Sequence, residues 1–229
     1  MFKCLQLLFL IFLIGFCIPT SGQTLEARYK VFKPLNATSG NGMLNNIATL
    51  EWDGFLYQQN NRFIYFKKPL YLDKYPGGYV DIATDENNIT AIGIVMDTVQ
   101  AIRYLDFDSL IYRSSINISG SPGHGINHKG NLSTNNINWR FLPDTKEING
   151  LKCQKAQFIN GNGKLQWVVW FCPDIPALGG PGYITGLPGI VVDGENKITS
   201  ETYVLVSYRS NIKLPDNIFW PKEFNAPFK

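Results

Sequence analysis

The chain is poor in histidine, and the two it has, His124 and His128, fall in one stretch, SSINISGSPGHGINHKGNLSTNNIN at 114–138. Two imidazoles can share a metal, but zinc needs a third or fourth donor and this stretch has no Cys, Asp or Glu. It reads as a solvated loop, and no metal site is expected. Basic residues (21) barely outnumber acidic ones (18) and form no block, which removes the electrostatic footprint of a nucleic-acid binder. No Gly-x-Ser-x-Gly elbow is present, and acidic pairs such as Asp106 with Asp108 sit in turn-forming sequence, where they are solvated turn residues. No catalytic residue and no cofactor is expected. Past residue 26 no segment holds a helical period for three turns, and no repeat of fixed length is present.

Long apolar runs are also scarce. The one present, Leu5 to Ile18, follows Lys3 and precedes Pro19 and the small residues Thr20-Ser21-Gly22. That is the plan of a signal peptide over 1–22, too short to cross a bilayer comfortably. The bulky Phe16 argues against Cys17 as a lipid-anchored cysteine. The expected product, 23–229, is exported to the periplasm or beyond, carries no membrane span and has the size of one β domain. Of four cysteines, Cys4 and Cys17 leave with the signal, which places Cys153 and Cys172 in an oxidising space.

What is abundant is period-two alternation broken by Asn, Asp, Gly and Ser. Strands are predicted at 27–32, 49–57, 62–66, 78–84, 89–96, 99–105 and 110–113, with polar loops or turns at 36–46, 58–61, 85–88 and 106–108. Later strands are expected at 189–193 and 202–208, the second with both faces covered. The tail, 214–229, has prolines at 215, 221 and 227 among Phe219, Trp220, Phe224 and Phe228. It cannot be regular, and either packs across the sheet or binds a partner. The fold class is all-β: one antiparallel meander, most simply a strongly curved sheet or incomplete barrel resembling lipoprotein-carrier folds, with few or no helices after the signal peptide.

The richest stretch is Trp139 to Asp193. Asn162-Gly163 is a strong hairpin signal, because a type I′ turn needs positive φ at both central residues. A two-residue loop there sets Phe158 against Trp167, Ala156 against Val169, and Cys153 against Cys172. In a hydrogen-bonded pair the last two Cα atoms stand about 5.5 Å apart, a span that a disulfide bridges, and a Cys153–Cys172 disulfide is expected. The alternative is two buried free thiols that pack. Beyond Cys172, Pro173, Pro176 and Pro181 with Gly179, Gly180 and Gly182 exclude a central strand and predict a long ordered loop. Leu187-Pro188-Gly189-Ile190 has the pattern of a type II turn. Such a loop is either functional or a crossover covering one end of the sheet.

Tyr183-Ile184-Thr185-Gly186-Leu187-Pro188-Gly189-Ile190-Val191 resembles the signature of the GLPGLI (Porph_ging) family of bacterial envelope proteins. The resemblance extends to Asp144–Ile148, Gly150–Ala156 and Trp170–Pro176. Two positions depart from it: Cys172 stands where the family usually has a small residue such as threonine, and Ile184-Thr185 replace a basic-aromatic pair. The resemblance implies a secreted or periplasmic protein similar in kind to partners of outer-membrane transport systems, and carries over no catalytic residues. It singles out Trp170, Pro173, Asp174, Pro176, Gly186, Leu187, Pro188 and Gly189. The expected activity is non-catalytic binding, with a peptide, a partly apolar ligand or an outer-membrane protein as partner. The alternative is a hydrolase or peptidase using Asp174 or the histidine loop.

Overall fold

The computed structural model describes residues 23–39, 42–71, 79–84, 89–95, 100–117, 125–132, 138–182, 184–215 and 217–225. The expected signal segment 1–22, the expected turn 85–88, His124 and Tyr183 lie outside these. The described chain is almost wholly β. Eleven strands form one antiparallel sheet that does not close into a barrel, and a separate two-stranded sheet pairs β4 (Tyr79–Thr84) with β5 (Ile89–Val95).

The large sheet is two meanders joined at the middle. Its centre is β1 (Thr24–Ser39), which pairs with β2 (Gly42–Gln59) on one side and with β13 (Glu201–Ser210) on the other. From β2 the first wing runs through β3 (Arg62–Pro69), β6 (Ala101–Asp106) and β7 (Ile111–Asn117) to β8 (Gly125–Asn131) at one edge. From β13 the second wing runs back through β12 (Ile190–Asn196), β11 (Leu165–Cys172) and β10 (Leu151–Ile159) to β9 (Trp139–Ile148) at the other. Edge strands invite pairing with a second chain. Here β9 presents Pro143 and exposed Arg140, Asp144, Lys146 and Glu147, which blunt that edge.

Alternation assigns the faces. Leu25, Ala27, Tyr29 and Val31 of β1 share the inner face with Trp52, Leu56, Phe63, Tyr65, Trp167, Val169, Phe171, Tyr203 and Leu205 in one buried cluster. The opposite face of the first wing carries a smaller cluster, where Ile64, Ile102 and Tyr104 are covered by Leu214, Phe219 and Phe224. The proline-rich tail thus packs across the sheet, with one 3-10 turn at Lys222–Asn225. Asn127 of β8 ties it down by donating to the Glu223 carbonyl at 2.7 Å.

Several expectations are corrected. The polar segment 36–46 is not a long loop, since β1 reaches Ser39 and β2 begins at Gly42. An asparagine-rich sequence extends as strand when a long hairpin already pairs its backbone. The 114–138 stretch is likewise not a loop throughout: β7 runs to Asn117 and β8 spans Gly125–Asn131, fully paired from Ile111↔Asn131 to Asn117↔Gly125. On β13, Tyr203 and Leu205 are buried but Val204, Val206 and Tyr208 are exposed, so only one face is covered.

The 153–172 hairpin keeps its register by another route. Phe158↔Trp167 and Ala156↔Val169 pair as expected, but Ile159 pairs with Leu165, so Gln166 is an extra residue. Only Gly163 has positive φ (72°), Gly163 N–H donates to the Asn160 carbonyl, and Asn160 N–H to that of Lys164. That is a three-residue loop, a turn over 160–163 followed by a glycine bulge at Gly163, and not a two-residue type I′ turn. The cysteines are free, buried thiols and no disulfide is formed. The β10–β11 ladder stops at Gln154↔Phe171, one pair short of them. There Cys153 donates to the Leu151 carbonyl of its own strand, while the chain turns away after Cys172 with Ile175 N–H donating to the Cys172 carbonyl.

Candidate functional site

The long loop after β11 is ordered as expected but does not stand clear of the sheet. It lies on the inner face: Ala177, Gly179, Gly180, Ile184, Thr185 and Leu187 are buried. Leu178 N–H donates to Gln58 Oε1 at 2.7 Å, Gly180 N–H to the Ile184 carbonyl at 2.8 Å, and Ile190 N–H to the Ile175 carbonyl at 2.9 Å. Tyr29 Oη donates to the Val191 carbonyl at 3.0 Å, and burial pushes that phenol far above its ordinary range. Gly179 packs against the Phe63 ring so closely that a Cβ would stand 2.4 Å from it.

Thr185 is the point where the two wings meet. Its carbonyl accepts from Trp139 Nε1, on edge strand β9, at 2.7 Å, while its other side lines a cavity built from β6, β7 and β8 at the far edge. The sheet therefore curls around its own loop. The cavity holds about 550 Å³, within the usual range for small-molecule sites. Strand register places its side chains: Arg103 on β6 faces Ser114 on β7, which faces His128 on β8, and Leu105 faces Tyr112 in the next row. The Tyr112 ring covers Gly130, where a Cβ would lie 2.4 Å from it. No carboxylate is among the described residues that line the cavity. Asp106 of β6 alternates to the other face, where it accepts from Tyr104 Oη, and its carboxyl is held low: burial raises it, but backbone N–H bonds from Ser109 and Asp108 outweigh this.

Behind Arg103 lies a buried polar cluster. Tyr65, its partner in register on β3, and Tyr203 have phenols pushed up chiefly by burial and, further, by the Glu201 charge, with Arg103 acting the other way. Glu201 accepts from Lys67 and from Tyr203. Burial raises its carboxyl, but Lys67 and the Tyr203 hydroxyl outweigh that and leave it below its ordinary value. This network joins β3 to β13 across the core and presents no free carboxylate to the cavity.

The signature residues occupy different places. Trp170 is on the outer face, with Lys146 Nζ 4.3 Å and Lys155 Nζ 5.5 Å from its ring. Pro173 and Asp174 are exposed in the turn after β11, and Pro176 is half-buried. A second, shallower cavity of about 430 Å³ brings Pro173 and Cys153 together with Thr145 and Lys152. Gly186 is exposed with φ of 78°, Leu187 is buried and Pro188 is exposed. Gly189 does not have the positive φ of a type II turn; its role is close approach, since a Cβ there would sit 2.0 Å from the Cys172 carbonyl oxygen. Asp174 is not among the described residues lining the cavity that holds His128. Neither Arg103, Ser114 nor Tyr112 stands out in the sequence. Their signal was an inward arginine on an alternating strand, which counts only once β8 is known to be a strand.

No family model matches the chain and no curated protein matches it. Two solved structures of PNGF-II, in space groups P21 and C2, are similar to it at 14% identity with TM-scores of 0.47 and 0.48. They cover 86% and 87% of this chain, which spans only 30% of the length of the PNGF-II chain.

Proposed function

We propose that this chain is an exported, non-catalytic binding or accessory protein of the bacterial cell envelope, with the inner-face cavity as its ligand site. The carrying observation is that cavity: about 550 Å³ between β6–β8 and the loop at Thr185, walled by Leu105, Tyr112, Ile116 and Leu132. A partly apolar small molecule or peptide side chain suits such walls. The blunted β9 edge does not suit assembly through strand addition. Export follows from the expected signal peptide, and the envelope setting, with an outer-membrane partner, from the resemblance at 183–191.

The test is titration of the purified protein with N-phenyl-1-naphthylamine, a neutral fluorophore that brightens in apolar surroundings. One saturable site is expected, abolished by Ile116→Trp, which fills the cavity, with the melting temperature preserved. Absence of saturable binding to the unaltered protein, or binding that survives Ile116→Trp, refutes the cavity as the site.

A further inference from the structure

We propose that Arg103, Ser114 and His128 form an anion-binding subsite, which takes the single acidic head group of an amphiphile whose apolar body lies against Leu105, Ile116 and Leu132. This rests on the cavity being the ligand site, and adds the chemical class of what enters it.

Three observations carry it. First, the three side chains form one row: Arg103↔Ser114 and Ser114↔His128 are direct cross-strand partners on one face, so their Cα atoms span two strand spacings, roughly 10 Å. A guanidinium, a hydroxyl and an imidazole within that width match a carboxylate or a phosphate, with the guanidinium able to bond two oxygens at once. Second, the surroundings favour negative charge. Ser114 is buried, Arg103 and His128 are half-buried, and no carboxylate is among the described lining residues. Glu201, which acts on the buried Tyr65, is itself bonded to Lys67 and Tyr203. A cation in partly desolvated surroundings attracts an anion more strongly than one in bulk water. Third, the polar row has an apolar neighbour. Leu105 and Tyr112 form the adjacent row, and Ile116 and Leu132 lie on the same face of β7 and of the chain just beyond β8, so a head group bound at the row leaves its tail on apolar walls.

The experiment is displacement of N-phenyl-1-naphthylamine by dodecanoate, dodecyl phosphate and dodecan-1-ol, three ligands with one tail and different heads. At least one anion is expected to displace the dye at a concentration about ten-fold or more below that of the alcohol. Whichever anion wins names the head group. The preference should shrink as salt is raised. Arg103→Gln is expected to bring the anions to within about two-fold of dodecanol. Should Arg103→Gln fail to melt cooperatively, Ser114→Ala and His128→Gln decide, each expected to remove part of the preference. Equal displacement by all three ligands overturns the subsite while leaving the cavity reading intact; failure of the dye itself to bind overturns the cavity reading and, with it, this one.

Discussion

Replacing Gly189 by alanine should be among the most damaging single-methyl additions possible in this chain. The new Cβ would stand 2.0 Å from the Cys172 carbonyl oxygen, 2.7 Å from its carbon and 2.8 Å from Pro173 Cα, all backbone atoms. No rotamer change relieves that overlap; the strand end at Cys172 and the chain entering β12 must separate by about 1 Å. Two hydrogen bonds span that seam, Ile190 N–H to the Ile175 carbonyl at 2.9 Å and Ile175 N–H to the Cys172 carbonyl at 3.4 Å. Overpacking together with weakening of both gives a cost of about 3–5 kcal/mol. For a domain of this size that lowers Tm by roughly 6–20 °C. The assay is thermal unfolding followed by near-ultraviolet circular dichroism, which reports the tryptophans packed in the core. Two further glycines separate the causes. Gly161→Ala meets nothing within 4 Å and has no positive φ, so it should be nearly silent. Gly150→Ala meets nothing within 4 Å but sits at φ of 78°, so it should show only the backbone strain of about 1–2 kcal/mol. A Gly189→Ala shift no larger than that of Gly150→Ala would refute the close-approach argument.

Other perturbations give simpler readings. The folded-state pKa of Glu201 lies below its ordinary 4.5, because Lys67 and Tyr203 outweigh its burial; its stabilisation is present above pH 4.5 and is lost as pH falls through the lower folded value. Glu201→Gln should therefore cost about 2–4 kcal/mol at neutral pH and flatten stability on the acid limb below 4.5, measured by urea unfolding against pH; an unchanged acid limb contradicts it. Tyr29→Phe removes the donor to the buried Val191 carbonyl and should cost about 1–3 kcal/mol, while in the unaltered protein a phenol should stay protonated well past the bulk tyrosine transition at 295 nm. In a chain beginning at Gln23, two thiols should be titratable in denaturant without reductant and react slowly in the native state, since burial and then the neighbouring Cys172 push the Cys153 thiol up. Finding no thiol in denaturant contradicts the free pair.

The fold class was legible because period-two alternation is a local property, and so were the hairpin pairs Phe158↔Trp167 and Ala156↔Val169. What escaped reading depended on distant chain. Asn-rich segments at 36–46 and 125–131 have low intrinsic strand preference, yet their backbones are paired by β1, β2 and β7, and pairing decides. The Asn162-Gly163 dipeptide marked the turn but not its type, because Asn160 captures two backbone N–H groups with its own side chain, at 3.1 Å from Asn162 and 3.0 Å from Lys164. The cavity row was hidden for the same reason as β8: Arg103, Ser114 and His128 converge only through the registers of three strands.

The loop after Cys172 shows what its glycines accomplish physically. An open sheet curled this far would leave a trough lined by Phe63, Tyr65, Trp167 and Tyr203, and side chains from a second layer would ordinarily fill it. Here the backbone itself descends into the trough, which demands residues without a Cβ wherever it touches: Gly179 against Phe63, Gly180 against Val191, Gly189 against Cys172. Buried backbone then needs partners, and the Gln58 side chain, Ile175, Ile184 and Trp139 supply them at 2.7–2.9 Å. Thr185 ends up wedged between β9 and the β6–β8 wing, so the same descent that seals most of the trough leaves one pocket unsealed beside Arg103. Loop and pocket are thus one construction. Cutting the Trp139 bond to Thr185 with Trp139→Phe should loosen the pocket wall without touching the ligand row, weakening dye, anions and alcohol alike and leaving the anion preference in place, whereas Arg103→Gln lowers that preference.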